Sequence, residues 1–424
     1  MTTAPRPPAQ HPDLTVDQVL HRLGLAIQPI ADHETVDLSQ ALDRVLARDV
    51  VSPVSVPPHD NAAMDGYAFD GQALSSGGRL QLTVVGTALA GKGWTPALRP
   101  GECVKIMTGA IMPPGLDTVV PLELTERTGD AVQLDAGAVQ PGAHRRRLGE
   151  DLMAGEPALR AGQRLTPAAL GLMASLGLPT LSVVRRLRVA YFSTGDEILS
   201  LGDAPREGAV YDSNRYTLTS LLTRMGIKVD DMGVIPDRPD ALREAFQRAG
   251  QASDAILTSG GVSMGDADHT RAIIDQLGRV DFWRIAMRPG RPMAFGRLGH
   301  GDGDSPPGAW LFGLPGNPVA AMVTFLVLVR PALQRLMGCN AVAPVLLKAR
   351  CTETLRKRPG RSEFQRGIVS PDAQGRLQVC TTGPQGSGVL RSMVQANGLI
   401  VLHHDRGEVA VGDEVDVMMF DGAI

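Results

Sequence analysis

Apolar segments of strand length and amphipathic segments of helix length alternate through the middle of the chain, from residue 187 to residue 338. The near-continuous apolar run 187–193 predicts a buried strand, and the leucines between Leu218 and Met225 share one helical face. Such alternation is typical of a doubly wound, mostly parallel sheet with helices on both faces. The pattern predicts further strands at 227–235 and 254–259 and further helices at 239–249 and 269–277.

The segments on either side lack this regular alternation of strands and helices, and their patterns predict three more domains. Prolines and glycines interrupt short β-prone runs within 51–140, which predicts a small β domain. Helix signals at Thr15 and at Thr166, which precedes a proline, assign 1–50 and 141–186 to a discontinuous linking domain. Residues 1–13 are expected to be disordered, and the β-prone runs of 339–424 predict a C-terminal β-barrel. The expected fold class is multidomain α/β plus all-β, with the α/β domain at 187–338.

Composition narrows the classes of function. A net charge of −3 and an aromatic content of 4% argue against a nucleic-acid binder. The four cysteines are scattered without a CxxC pair, and no secretory signal is visible, so a cytoplasmic location is expected. The longest apolar run, 319–329, is shorter than the roughly 20 residues of a membrane span and is predicted to be a buried helix.

Acidic, glycine-containing loops follow the predicted parallel strands. Glu197 follows the first strand, Asp237 the second, and Asp268 closes the loop after the third. Ligands of open α/β sheets bind beyond the carboxyl ends of the strands, so these three carboxylates are expected to meet there and to hold Mg²⁺. The third loop also supplies an anion cradle from Ser259, Gly260, Gly261 and Ser263, although tight turns alone could explain its glycines.

Two further segments of the α/β domain predict anion binding. Arg284, Arg288 and Arg291 surround the turn Pro289-Gly290 within residues 283–296, and guanidinium groups match tetrahedral oxyanions. Two prolines and a glycine favour a shaped loop there over a solvated charged strand. The motif GLPGNP places Pro315, Gly316, Asn317 and Pro318 at a helix start, where they form either a structural cap or a second anion cradle.

Several motifs in a fixed order resemble the molybdopterin molybdenumtransferase family, which includes the E domain of gephyrin. The resemblance runs from about residue 15 to the C-terminus. It rests on DNAAMDGYA (from Asp60), KIMTGA (from Lys105), RRLGED (from Arg146), FSTGDE, SGGVSMGDADHT, PGRPMAFG, GLPGNP and GRSEFQRG.

The resemblance implies an elongated four-domain homodimer whose clefts are shared between subunits. Each cleft would bind molybdate and adenylated molybdopterin with Mg²⁺ and release AMP. The functional positions that it implies are Asp60, Thr108, Arg146, Asp151, Glu197, Asp237, Asp268, Pro315 and Pro318. A molybdopterin adenylyltransferase and the molybdoenzymes that receive the product are the expected partners.

This sequence departs from the family pattern at a few positions. Arginines stand at 284, 288 and 291, where the family often has lysines, and residues 300–308 resemble a local hairpin insertion. Two alternatives remain open. The first is a molybdopterin adenylyltransferase, which has a similar α/β domain, and the second is a non-catalytic scaffold of the gephyrin E-domain type.

Overall fold

The chain of this computed structural model is described over residues 13–261, 268–299, 308–340 and 343–420. It folds into two compact units. The first comprises Met1–Glu34, Asp43–Val45 and Val183–Ile424, and the second comprises Thr35–Leu42 and Leu46–Ser182. The strands His33–Asp37 and Thr180–Val184 lead the chain from one unit to the other. The four-domain division expected from the sequence stays a prediction.

A six-stranded sheet forms the centre of the first unit. In spatial order its strands are Lys228–Ile235, Arg188–Thr194, Ala255–Ser259, Ala309–Leu314, Pro292–Leu298 and Gly278–Arg284. The first four are parallel, and the last two are antiparallel to their neighbours. The prediction of a mostly parallel sheet is therefore confirmed. The central strand Ala255–Ser259 is buried on both faces, in keeping with its apolar residues Ala255, Ile256 and Leu257.

Helices cover both faces of this sheet, as the sequence pattern predicts. One face packs against Leu218 and Leu222 and against the helix Val16–Ala26, whose first turn Thr15 and Gln18 close as a capping box. The other face packs against Phe246 and Ile273. The remaining helices of this domain are Ser213–Arg224, Pro239–Ala252, Asp268–Leu277, Pro318–Thr324 and Arg330–Leu336.

The sequence interpretation of residues 283–296 as one shaped loop is wrong for most of that segment. The strands Gly278–Arg284 and Pro292–Leu298 pair in antiparallel register, and the loop is confined to the short segment between them, which also contains the two-residue strand Met287–Arg288. Trp283 and Phe295 pack in the core with ring centroids 5.1 Å apart, which holds both ends of the segment in the sheet. Pro292 is tolerated because it is the first residue of its strand.

The expected hairpin at residues 300–308 is consistent with the strands that flank it. Leu298 pairs with Ala309 in antiparallel register, so the chain reverses direction between them. Residues 300–307 themselves lie outside the described residues.

The buried helix predicted from the apolar run 319–329 is confirmed, but it is longer than that run. It extends over Pro318–Leu336 and contains a π-helical turn, Phe325–Val329, just before Pro331. A widened turn accommodates a proline, which cannot donate to the helical hydrogen-bond ladder. By length and composition alone this helix could cross a membrane. However, 78% of its most apolar 18-residue stretch is buried inside the protein, as in the core helix of a folded domain.

A closed five-stranded barrel completes the first unit, as the sequence predicts. Its strands are Leu346–Cys351, Ser362–Pro371, Leu377–Thr381, Gly398–Leu402 and Glu414–Met419. The ring closes because Ser362–Pro371 pairs with both Leu377–Thr381 and Gly398–Leu402. A short helix, Arg391–Gln395, precedes Gly398–Leu402. The two-residue strand Met287–Arg288 of the α/β domain pairs with the start of Ser362–Pro371.

The second unit is built on another six-stranded sheet, which lies within residues 51–140, where the sequence predicts a small β domain. Its order is Thr118–Pro121, Gly66–Phe69, Glu102–Ile106, Arg79–Ala88, Ala131–Asp135 and Thr125–Thr128. Two small antiparallel pairs join Arg145–Arg146 to Asn61–Ala62 and Pro157–Leu159 to Val50–Val51. Thr166 caps the helix Pro167–Ser175, as predicted.

Candidate functional site

The floor of the candidate site is the loop that follows the strand Ala255–Ser259. Gly260 and Gly261 have φ values of +90° and +67°, in the left-handed region that favours glycine. A Cβ atom at Gly260 would lie 2.5 Å from the Thr194 carbonyl oxygen. Because no side chain fits there, this loop can approach both the neighbouring strand and a ligand closely.

A second loop, after the strand Ala309–Leu314, lies beside the first. Asn317 occupies the N-cap position and Pro318 the first position of the helix, but the Asn317 side chain makes no capping hydrogen bond. A Cβ atom at Gly316 would lie 3.9 Å from the Cα atom of Gly260, so the two loops are adjacent. Asn317 therefore occupies the predicted cap position, but its side chain does not cap the helix. That side chain is exposed and lines the cleft.

Two carboxylates stand at the acidic side of the cleft. Glu197 and Asp237 both line it, and neither carboxylate forms an ion pair or hydrogen bond with any described residue. A Cβ atom at Gly195 would come within 2.9 Å of both carboxylate oxygens of Glu197, so this side chain folds back over a glycine. The Asp237 amide donates to Asp196 Oδ1 at 3.4 Å, which links the two acidic loops.

The three predicted arginines are in different environments. Arg284 Nε lies 3.1 Å and Arg291 Nη2 lies 2.8 Å from the carboxylate of Asp13. Arg288 has only a 3.9 Å contact with Glu363, and most of its side chain is exposed. Arg288 and Arg291 line the cleft, whereas Arg284 does not. Of the three predicted arginines, Arg288 therefore has the weakest ion pair with a described residue.

The loop between Arg288 and Arg291 requires glycine at its centre. Gly290 has a φ of +97°, and a Cβ atom there would lie 2.2 Å from Thr324 Oγ1 on the buried helix. The loop thus lies directly against that helix. This close packing fixes the backbone from which Arg288 projects.

The barrel of the same unit supplies the remaining wall of the cleft, through Arg361 and the segment Gln385–Ser387. The Ser387 carbonyl accepts a 3.0 Å hydrogen bond from the Val319 amide, at the start of the buried helix. Gln385 Oε1 accepts from the Arg366 amide at 2.7 Å, and the Arg366 guanidinium donates to the Gly386 carbonyl at 3.0 Å. Burial, together with the charge of Arg288, lowers the pKa of the wholly buried Arg366 to about 10.

Together these walls enclose a cleft of about 670 Å³ at the carboxyl end of the parallel strands. It brings together nine of the residues selected from the sequence: Glu197, Asp237, Gly260, Gly261, Arg288, Arg291, Pro315, Gly316 and Asn317. Ser259 lies buried beneath the floor, and Pro318 belongs to the helix that begins there. Asp268 begins the helix Asp268–Leu277, but its side chain and the whole of Ser263 lie outside what the structure describes.

Four residues selected from the sequence lie in the second unit, on segments that hydrogen-bond to one another: Asp60, Thr108, Arg146 and Asp151. Asp60 accepts a 2.7 Å hydrogen bond from the Leu148 amide, and Arg146 pairs with Asn61 across a short ladder. The Asp151 amide donates to the Val56 carbonyl at 3.0 Å. These contacts place Asp60, Arg146 and Asp151 on neighbouring loops.

Thr108 is attached to the same loop system through an aspartate. Both its hydroxyl and its amide donate to Asp65 Oδ1, at 2.6 and 2.7 Å, and these bonds lower the pKa of the Asp65 carboxyl. Asp65 therefore stays ionised and holds Thr108 in place at the surface.

The arrangement of the cleft in the first unit suits a phosphate-bearing ligand. Close-approaching glycine loops can present backbone groups to phosphate oxygens, and guanidinium groups can bind oxyanions. Among the described residues no cluster of three or more His, Cys, Asp or Glu side chains is arranged to hold a metal ion by itself. Two exposed carboxylates and ligand phosphates could share a hard cation such as Mg²⁺, which keeps several of its waters.

Sequence reasoning missed several residues of this region, and four of them make or support its walls. Arg361, Gln385 and Ser387 lie on the barrel, and nothing in the spacing of the sequence indicates that a barrel loop reaches the sheet. Asn214 lies beneath the floor and donates to Ser259 Oγ and to the Gly316 carbonyl. The only local signal for Asn214 was its place in a helix start, Asp212-Ser213-Asn214, at the carboxyl end of the sheet.

Family models match three consecutive parts of the chain. Residues 14–177 match the MoeA N-terminal region (domain I and II), and residues 190–335 match a probable molybdopterin binding domain. Residues 348–420 match the MoeA C-terminal region (domain IV).

Individual relatives are similar over nearly the whole chain. The molybdopterin molybdenumtransferase of Haemophilus influenzae is 38% identical over 409 residues, which cover 96% of this chain and 99% of the relative. That of Nostoc sp. is 34% identical over 394 residues, which cover 92% and 88%. The crystal structure of the molybdopterin biosynthesis protein MoeA from Pyrococcus horikoshii is 26% identical, with a TM-score of 0.81 and coverage of 96% and 99%.

Proposed function

The chain belongs to the molybdopterin molybdenumtransferase family, and we propose that it inserts molybdate into adenylated molybdopterin with release of AMP. This reaction is the last step in the synthesis of the molybdenum cofactor. The cleft at the carboxyl end of the sheet carries the proposal, because it combines glycine loops, an exposed arginine and two carboxylates that pair with no described residue. The glycine loops would bind the pyrophosphate, the carboxylates its cation, and the arginine molybdate.

The pyrophosphate of the adenylated pterin would lie on the two glycine loops. Gly260 and Gly316 leave room for close approach, and the helix that begins at Pro318 adds the positive end of its dipole. The chain's own groups would act mainly by positioning the phosphates and by stabilising the charge on the departing AMP.

Glu197 and Asp237 would hold Mg²⁺ together with the substrate phosphates, with Asp268 as the third carboxylate selected from the sequence. Mg²⁺ commonly takes one or two protein carboxylates and completes its shell with water and phosphate oxygens. The two described carboxylates fit this demand because they face the cleft and have no partner among the described residues. The bound cation would offset phosphate charge, while Glu197 and Asp237 would fix its position.

Molybdate, a tetrahedral oxyanion, would be bound by the arginine side of the cleft. Arg288 is the best candidate because its guanidinium is exposed and only weakly paired. Arg291 would assist from the same loop, although it also pairs with Asp13. Arginine presents a planar fork of donors, which suits two oxygens of one anion.

The direct test is an assay of AMP release from adenylated molybdopterin, with and without molybdate and Mg²⁺. We expect release that depends on molybdate and is abolished by a chelator of divalent cations. The purified protein should also be incubated with molybdopterin and ATP. Adenylation of the pterin without molybdate-dependent AMP release would contradict the proposal and favour an adenylyltransferase.

We also propose that the protein is a homodimer in which Asp60 and Thr108 of one subunit complete the cleft of the other. Family resemblance supports this arrangement. If Asp60→Ala and Asp237→Asn each inactivate the homodimer, mixed dimers carry one intact cleft of two. Random re-pairing of equal amounts should then restore roughly a quarter of wild-type AMP release. A refolded mixture that stays inactive, with mixed dimers confirmed by mass spectrometry, would contradict a shared cleft.

The protein would act in the cytoplasm, between a molybdopterin adenylyltransferase and the molybdoenzymes that receive the product. The four cysteines, all of which are described, form no disulfide. Burial raises the pKa of Cys103 to about 12 and that of Cys351 to about 11, so both thiols stay protonated and unreactive. Both observations are compatible with a reducing compartment.

A further inference from the structure

One buried side chain joins the two glycine loops at the floor of the cleft. The amide nitrogen of Asn214 lies 2.6 Å from Ser259 Oγ and 2.7 Å from the Gly316 carbonyl oxygen. Ser259 directly precedes Gly260 in the first loop, and Gly316 lies in the second. Asn214 is 8% exposed and sits in the first turn of the helix Ser213–Arg224.

The chemistry of the contact fixes the orientation of the amide. A carbonyl oxygen can only accept a hydrogen bond, so the atom of Asn214 that faces Gly316 must be the –NH₂ group. The amide oxygen of Asn214 is buried and has no partner among the described residues. Among the described residues, the two contacts of the nitrogen are therefore the hydrogen bonds that hold this side-chain amide.

The helix that carries Asn214 is itself tied to the acidic side of the cleft. Asp212 Oδ1 caps the helix by accepting from the Arg215 amide at 3.0 Å. The Asp212 amide donates to the Leu199 carbonyl at 3.0 Å, and the Val210 amide donates to the Glu197 carbonyl at 2.9 Å. Asn214 thus contacts both glycine loops, and its helix follows a segment that is hydrogen-bonded to the loop of Glu197.

We propose that Asn214 is a positioning residue that sets the spacing between the two glycine loops for a ligand bearing two linked phosphate groups. This inference rests on the proposed function, because the ligand concerned is the pyrophosphate of the adenylated pterin. The two loops come from strands that are adjacent in space, and each loop can present backbone groups to one phosphate. A side chain that fixes the distance between them selects for a diphosphate and leaves molybdate binding at Arg288 unaffected.

The test compares Asn214→Ala and Asn214→Asp with the matched control Thr217→Ala. Thr217 lies on the same helix, and its hydroxyl donates to the Ser213 carbonyl and to no other group of the described residues, so the control removes one hydrogen bond away from both loops. Asn214→Asp keeps the shape and can still accept from Ser259, but its carboxylate repels the Gly316 carbonyl. Ser259→Ala removes one of the two contacts and completes a double-mutant cycle with Asn214→Ala.

We expect Asn214→Ala to lower kcat/KM for adenylated molybdopterin on the order of 100-fold, since small misplacements of binding groups have effects of this size. The KM for molybdate should stay unchanged. Asn214→Asp should show a large part of the loss, and Ser259→Ala should add nothing to Asn214→Ala. Thr217→Ala should behave like the wild type.

Hydrogen exchange of the loop amides provides a readout that does not depend on activity. Asn214→Ala should raise exchange in the peptides around Gly260 and Gly316 together, without raising exchange in the strand Arg188–Thr194. If the wild type releases no AMP but both loops loosen in this variant, the proposed function fails while the link through Asn214 stands. Unchanged exchange in both loops, or a rise in the KM for molybdate equal to that for the pterin, would overturn the inference.

Discussion

The carboxylates at the two ends of the parallel sheet differ in their hydrogen bonds and ion pairs. At the amino end, Asp254 accepts two 2.7 Å hydrogen bonds from the Arg185 guanidinium and a 2.8 Å bond from the Arg188 amide. Arg185 also pairs with Asp32 at 2.8 Å. At the carboxyl end, Glu197 and Asp237 have no such partner within the described part of the chain. The carboxylate at the amino end is bound by internal partners, whereas these two carboxylates at the carboxyl end remain available to a ligand.

The contrast separates charges that stabilise the fold from charges that bind a ligand. Burial alone would raise the pKa of the Asp254 carboxyl, but the hydrogen bonds from Arg185 and Arg188 outweigh it and lower that pKa. The native protein therefore binds the ionised form of Asp254 tightly. Exposed carboxylates that have no partner among the described residues contribute little to folding, so Glu197 and Asp237 are free to bind a ligand or its cation.

The largest effect should follow from neutralising the carboxyl end. The double variant Glu197→Gln, Asp237→Asn should lower the kcat for AMP release on the order of 1,000-fold, because it removes the charges that we propose to hold the cation at the leaving phosphate. Its melting temperature should stay close to that of the wild type. Asp240→Asn, an exposed carboxylate on the next helix, is the control. Activity close to wild type would show that the cleft does not use these charges.

A change at the amino end should act on stability. Asp254→Asn should lower the free energy of unfolding by about 3 kcal/mol, since it leaves the partly buried Arg185 without its main partner. Denaturant unfolding measures this loss, and kcat below the melting temperature should stay near the wild-type value. A stable but inactive variant would reverse the roles assigned to the two ends.

The same carboxylate makes a prediction about pH. Because the native pKa of Asp254 is lowered, its contribution to stability is present above the unfolded-state pKa of about 3.9 and is lost as the pH falls through the native pKa. The difference in unfolding free energy between the wild type and Asp254→Asn should therefore shrink as the solution is acidified from pH 6. A difference that is constant with pH would contradict this assignment.

A smaller effect should appear at the arginine side. Arg288→Ala should raise the KM for molybdate about ten-fold, the equivalent of one lost charge-assisted hydrogen bond of about 1.4 kcal/mol. Arg288→Lys should raise it less, because lysine keeps the charge but loses the planar fork. Arg284→Ala is the comparison, since Arg284 pairs with Asp13 and does not line the cleft. Equal KM values for all variants would place molybdate elsewhere.

The smallest effect tests whether internal pairing withholds a cation from the ligand. Asp13→Asn removes the carboxylate that holds Arg291 Nη2 at 2.8 Å. The freed guanidinium should then lower the KM for molybdate by about two-fold, in keeping with the modest energy of a half-exposed ion pair. A raised KM would show instead that Asp13 is needed to aim Arg291 into the cleft.

The sequence was sufficient where local patterns carry the signal. Apolar runs and helix caps gave the alternation of the α/β domain, and the topology rule then placed Glu197, Asp237 and the glycine loops at one end of the sheet. It was insufficient where contacts join distant segments. Asp13 and Arg291 are separated by 278 positions, so nothing local shows that this arginine is already paired. Asn214 and Gln385 were missed for the same reason.

The antiparallel strands around Arg288 were missed for another physical reason. Prolines and a glycine break the local pattern, while the stacking of Phe295 on Trp310, with centroids 5.1 Å apart, decides the structure through the core. Tertiary packing outweighs weak local preferences in such segments.

The short pairing of Met287 with Ser362 and of Arg288 with Glu363 has a consequence for protein engineering. The barrel contributes to positioning the backbone that presents Arg288, because the strand Met287–Arg288 pairs with the barrel in addition to the packing of its loop against the buried helix. A chimera that exchanges the barrel for that of a relative would therefore also move a cation of the α/β domain. The α/β domain and the barrel, although they are separate folds, would have to be exchanged together.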